Sequence, residues 1–135
     1  MRPDAMELAD RYKCYDIYAL EVLTGKWRLP IIWTLSTSES VRYSQLKREV
    51  KGITNIMLTR SLQGLEAFGL VSRIDFAENP PHVEYALTDK CREILPALDM
   101  INQWGRRLLE EYEGAKTLQD LEKRAKKDAL EIRIN

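Results

Sequence analysis

The stretch from Arg42 to Leu87 leaves a chain of this length few ways to fold. Leu58, Leu62 and Leu65 stand at i, i+4 and i+7, the spacing of one helix face. Thr54 is a good N-cap for that segment, which runs to about Phe68 and closes at Gly69. Ahead of it, Ser44 to Val50 predicts a shorter helix with Leu46 and Val50 inward, and Lys51-Gly52-Ile53 supplies the turn. Behind it, Val71 to Phe76 and Val83 to Leu87 alternate at period two, as strands do. Between the strands, Ala77-Glu78-Asn79-Pro80-Pro81-His82 cannot continue a ladder, because proline has no N–H to donate, so it predicts the tip of a hairpin. Helix, turn, helix and hairpin in this order predict a winged helix-turn-helix: a mainly α fold with a small β-hairpin wing, whose second helix suits a DNA major groove.

The flanks predict helices that hold and pair this module. Residues 1–13 are polar and are expected to be frayed or loosely docked. Cys14 to Leu23 carries Ile17, Leu20 and Leu23 at helical spacing, widened by Tyr18 and Val22, and ends at Thr24-Gly25. Leu29 to Leu35 is a second apolar helix with Pro30 in its first turn, where a missing N–H costs nothing. Thr88 caps a long helix in which Ile94, Leu98, Ile101, Trp104 or Gly105, and Leu108 recur at near-heptad spacing, with a kink expected at Pro96. A helix apolar along its length needs a partner surface, and a homodimer seam is the natural one. After Gly114, Lys116 to Ile134 reads as a last amphipathic helix. The expected organisation is a single domain over 1–135. Its core is about 14–88, its DNA-binding module 42–88, and its C-terminal dimerisation helices about 89–135.

Charge narrows the function. The net formal charge is zero, which argues against indiscriminate coating of nucleic acid. Yet between 42 and 73 Arg42, Lys47, Arg48, Lys51, Arg60 and Arg73 face only Glu49 and Glu66, so positive charge gathers on the helix-turn-helix, where phosphates would be met. No apolar run is long enough to cross a bilayer, and the first residues carry no apolar signal region, so the expected compartment is the cytoplasm. The only histidine is His82, so no histidine-based metal or catalytic cluster is expected. No phosphate-binding loop, hydrolase elbow or dinucleotide fingerprint is present, so neither an enzyme nor a bound cofactor is expected, and no effector can be named.

On the second helix, Thr54 caps a face of Asn55, Thr59 and Gln63 at i, i+4 and i+8, with Arg60 beside them. Asn and Gln suit adenine and Arg suits guanine, so these residues are candidate base contacts; the bland reading is a solvated face. Arg42, Lys47, Arg73 and His82 are candidate phosphate contacts, which need only charge or a donor. Cys14 and Cys91 are too far apart in sequence for a zinc knuckle or a CxxC pair. Cys14 can be read as a redox sensor or as an inert buried thiol. Cys91, in the first turn of a helix, could have a lowered pKa, and could pair with Cys14 only if the fold or a dimer joins them. Trp27, Trp33 and Trp104 read as core aromatics, or as the lining of a ligand pocket if the fold leaves a cavity beside them.

These pieces together resemble the HxlR-type winged helix-turn-helix transcriptional regulators over roughly 13–107. The likeness rests on Cys14, Gly25-Lys26-Trp27, Arg42-Tyr43-Ser44-Gln45-Leu46 and Gly52-Ile53-Thr54, then on Met57-Leu58-Thr59, Leu62 to Glu66 and Gly69-Leu70-Val71, and finally on Pro80 through Thr88 and Trp104-Gly105. The resemblance implies a homodimer paired through terminal helices on an inverted-repeat operator of double-stranded DNA, with the cysteine matching Cys14 able to sense oxidants or electrophiles. This chain departs from the family pattern at Tyr15 (usually Pro), Ile56 (commonly basic), Gln63 (usually Arg or Lys), Gly64 (typically acidic) and Cys91 (often Gly). Ile56 and the zero net charge motivate the alternative, a winged-helix protein–protein interaction module without DNA binding.

Overall fold

A computed structural model describes residues 4–111 and 118–134. It divides into two compact units, Met1–Glu93 and Ile94–Asn135, with the boundary inside one helix. In order, the elements are α1 (Ala5–Tyr12), α2 (Tyr15–Leu23), α3 (Arg28–Ser36), β1 (Val41–Arg42), α4 (Tyr43–Glu49), α5 (Asn55–Ala67), β2 (Val71–Phe76), β3 (His82–Leu87), α6 (Asp89–Glu111) and α7 (Leu118–Ile134). This is the mainly helical winged helix-turn-helix that the sequence predicts.

The apolar stripe of α5 sets the N-terminal unit. Leu58, Leu62 and Leu65 are fully buried, together with Ile31, Ile32 and Leu35 of α3 and Leu46 of α4. Each such leucine contributes about 1.5–3 kcal/mol of burial. Thr54 caps α5 as expected, its Oγ1 accepting from the Met57 N–H at 3.2 Å. The turn before it and the exit after it need left-handed backbone, which Gly52 (φ 86°) and Gly69 (φ 71°) adopt without a Cβ penalty. The Thr88 hydroxyl donates to the Gly69 carbonyl at 2.6 Å and accepts from the Cys91 N–H at 3.3 Å, so one side chain closes the exit of α5 and caps α6. Through Pro96, α6 continues unbroken, as its periodicity predicts.

The sheet is antiparallel, in the order β1-β3-β2. Tyr85 pairs with Arg73 on one side and Val41 on the other, and Glu84 pairs with Ile74 and Arg42. The alternation of the return strand holds: Tyr85 and Leu87 are buried. His82 belongs to β3, opposite Phe76, so the wing tip is one residue shorter than expected.

Several expectations are corrected. In the first segment α1 occupies Ala5–Tyr12, a helix that the polar composition does not predict. Asp4 Oδ1 accepts from the Glu7 N–H at 2.8 Å, Lys13 ends the helix in a left-handed conformation, and Ala9 is buried. Within α2, helical spacing predicts Leu20 and Tyr18 inward, but both are exposed, Leu20 by 45%. Trp27 and Trp33 are half-buried, while Trp104 is 57% exposed, outside the core and on the stripe of α6 read as needing a partner surface. Gly114 and Lys116, where the last helix is expected to begin, lie outside the described residues.

Candidate nucleic-acid interface

The candidate DNA contacts come from three elements that the fold brings to one side of the N-terminal unit. Arg42 is the N-cap of α4, Thr59 lies on α5, and Arg73 lies on β2. Together with Tyr43 and His82 they line a single open groove of about 510 Å³ between the second helix and the wing. Asn55 reaches the same groove through Tyr43. The Tyr43 hydroxyl lies 3.2 Å from the Asn55 carbonyl oxygen, 3.4 Å from Asn55 Oδ1 and 3.2 Å from Thr59 Oγ1. Arg60 and Gln63 stand exposed on α5, and Lys47 half-exposed on α4, outside that groove. Among the described residues, none of Arg42, Lys47 and Arg60 has an ion-pair partner in contact.

Two of the phosphate candidates already pair with carboxylates. Arg73 pairs with Asp75 at 3.2 Å, an exposed contact that solvent weakens and that a phosphate can displace. His82 turns inward. Its ring stacks on Phe76 at 4.7 Å, and its Nε2 lies 2.9 Å from Glu84 Oε2. The Ser40 hydroxyl donates to Glu84 Oε1 at 2.6 Å. The hydrogen bonds from Ser40 and then His82 hold the Glu84 carboxyl below the usual carboxylate range. A carboxylate so placed fastens the base of the wing to the loop that precedes β1.

The departures on α5 have local consequences. Ile56 is 65% exposed in the first turn, an apolar side chain facing solvent beside the reading candidates. Gly64 leaves room for Arg28, for a Cβ there would come within 2.7 Å of Arg28 Nη2. That guanidinium donates to the Val22 carbonyl and sits 5.7 Å over the Phe68 ring, tying the end of α2 to the end of α5. Lys26 lies 5.1 Å over the Trp27 ring.

The two cysteines part company. Cys14 is exposed at the junction of α1 and α2, and its thiol donates to the Tyr12 carbonyl at 3.6 Å. Cys91 is fully buried, and burial pushes its thiol up, which corrects the expectation of a lowered pKa in the helix's first turn. Desolvation of the thiolate outweighs the helix terminus there. Both cysteines are free, so they are not bridged to each other.

The candidate face is legible in sequence; its hub is not. The sequence marks Tyr43 only as a neighbour of α4, although its spacing of 12 and 16 residues from Asn55 and Thr59 is bridged by the turn at Gly52.

Comparison with known proteins gives this geometry its context. The HxlR-like helix-turn-helix family model matches residues 22–113. The chain is 42% identical over 88 residues to an HTH-type transcriptional regulator of Halalkalibacterium halodurans, covering 65% of this chain and 78% of that one. It is 37% identical over 100 residues to a protein described as the regulatory protein MalR of Fusobacterium mortiferum, covering 74% and 94%. Among solved structures, the redox regulator HypR in its oxidised form superposes with a TM-score of 0.64 at 33% identity, covering 70% of this chain and 96% of that one. The reduced form of the transcriptional regulator YodB from B. subtilis superposes with a TM-score of 0.67 at 25% identity, covering 74% and 98%. With its helix-turn-helix and wing inside the matched span, the chain belongs to the HxlR-like helix-turn-helix family of transcriptional regulators.

Proposed function

We propose that this chain acts in the cytoplasm as a homodimer that binds double-stranded DNA at a roughly palindromic operator. In this reading α5 enters the major groove, and Arg42 and Arg73 grip the backbone beside it. The observation that carries the reading is the convergence of Arg42, Arg73, Thr59 and the Tyr43–Asn55 contact on one groove between α5 and the wing. Phosphate contacts fix register and base contacts specify, and this groove offers both kinds of group. The exposed Ile56 suits a thymine methyl. Pairing is supported by apolar side chains left in solvent on α6, namely Met100, Ile101, Trp104 and Leu109. Twofold symmetry would set the two reading helices about 34 Å apart. The test is binding of the purified chain to duplexes selected from a random pool, titrated with salt. The affinity should fall linearly on a log–log plot, by several powers of salt concentration. Salt-independent binding, or none, overturns the reading and favours the protein–protein module that Ile56 also fits.

A second element of the proposal is regulation through Cys14. Support comes from its exposure, from the burial of the only other thiol, and from the likeness to HypR, which is named a redox regulator. With Cys91 buried, the second sulfur comes from a small-molecule thiol added with the diamide: diamide takes one electron and one proton from that thiol and one of each from Cys14 as they join in a mixed disulfide. Treatment should therefore shift operator affinity in the wild type and leave Cys14→Ser unchanged. An equal shift in both proteins removes the sensor role. Alkylation of the folded protein followed by mass spectrometry should label Cys14 and spare Cys91.

A further inference from the structure

Asn55 and Thr59, two of the candidate reading side chains, do not stand free on α5. Both meet one phenol oxygen. Tyr43 Oη lies within 3.2 Å of the Asn55 carbonyl oxygen and of Thr59 Oγ1, and 3.4 Å from Asn55 Oδ1. A tyrosine hydroxyl has one proton and two lone pairs, so it can donate to an Asn55 oxygen while it accepts from the Thr59 hydroxyl. The ring that carries it is anchored at its other edge. It sits 6.5 Å from the Tyr85 ring at 49°, and Tyr85 is buried in β3 between Val41 and Arg73. Tyr43 therefore spans from the sheet that supports the wing to the exposed face of the reading helix.

We propose that Tyr43 is the positioning residue of the base-reading face: its hydroxyl holds Asn55 and Thr59 in the rotamers that meet the bases. The inference rests on the reading of α5 as the DNA-recognition helix and adds the device that makes that helix selective. Exposed side chains on a helix surface lose rotamer freedom when they bind, and a partner that orders them beforehand removes that cost from the complex. With its oxygen turned toward the phenol, the Asn55 amide leaves its N–H groups for base acceptors. Ordering of this kind affects base contacts and leaves phosphate contacts alone, because charge attracts phosphate from many rotamers.

The experiment compares wild type, Tyr43→Phe, Asn55→Ala/Thr59→Ala, and the triple variant on two duplexes, the operator selected by the wild type and a scrambled sequence. Tyr43→Phe keeps the ring on Tyr85 and removes only the hydroxyl. It should bind the operator about tenfold more weakly, with scrambled-duplex affinity and salt slope unchanged. In the Asn55→Ala/Thr59→Ala background, Tyr43→Phe should leave the operator-to-scrambled ratio where it is, because the contact that survives, to the Asn55 main-chain carbonyl, orders no reading side chain. An unchanged operator-to-scrambled ratio in Tyr43→Phe overturns the proposal. So does an equal loss on both duplexes, a further loss of discrimination in the triple variant, or a collapse of the helical circular dichroism that marks the phenol as a folding element. A wild type that selects no sequence removes the DNA-reading premise itself, an outcome distinct from all of these.

Discussion

Leu62→Ala should destabilise the N-terminal unit by about 3 kcal/mol and lower its melting temperature by about 15 °C. Leu62 is 1% exposed at the centre of the α5 stripe, between Leu58 and Leu65, which are both fully buried. Truncation removes three carbons from a packed interior. The loss is the transfer free energy of those atoms plus the cavity left among side chains that relax only in part. The neighbouring Gln63→Ala, on the exposed side of the same turn, should stay within about 0.5 kcal/mol of wild type. Thermal melts followed by circular dichroism separate the two variants. A Leu62→Ala protein that melts with the wild type would mean that α5 does not pack through this stripe, and the orientation of its reading face would fall with it.

That face is legible in sequence because burial and exposure on α5 follow one helical period. Leu58, Leu62 and Leu65 define the inside, so Asn55, Thr59 and Gln63 are the outside by geometry alone. Thr54 and Gly69 are legible as ends for local reasons, a side-chain acceptor at the N-terminus and a left-handed residue at the exit. Elements that exist only through tertiary pairing are not legible. Two residues make no periodicity, so β1 cannot be read at all: Val41 and Arg42 are a strand because Tyr85 and Glu84 lie opposite them. In α1 a local signal is present, Asp4 followed by Glu7, but one buried alanine gives too little apolar pattern to weigh against a polar composition. Cys91 shows the converse failure. Its place in a helix's first turn is a local fact that argues for a low pKa, and its burial is a tertiary one that decides the opposite. His82 is a sequence candidate for the charge it can carry, and the structure turns its ring onto Glu84, two residues along the same strand face.

Arg42→Ala/Arg73→Ala should weaken DNA binding far more than any single change at the reading face, and in a different way. The two guanidiniums flank the groove from the junction of β1 with α4 and from β2, and neither residue is buried. Removing one phosphate contact should reduce the slope of log K against log salt by about 0.9. The double variant should therefore lower the slope by about 1.8 per subunit, or about 3.6 for a dimer on a full operator. At 0.1 M salt, where one such contact contributes roughly eightfold, the subunit's share alone is about a 60-fold loss of affinity. The loss should be the same on operator and scrambled duplexes, because phosphates carry no sequence. Asp75→Asn should act in the opposite direction, since it frees Arg73 from its 3.2 Å partner. Titrations over a range of salt concentrations measure the slopes of wild type and both variants. An unchanged slope in the double variant would show that the groove does not face the backbone, and the convergence that supports DNA binding would then need a partner other than phosphate. A reduced slope with discrimination intact, set beside Tyr43→Phe with discrimination reduced and slope intact, would separate gripping from reading on one face of the protein. The arginines would account for the first and the phenol for the second.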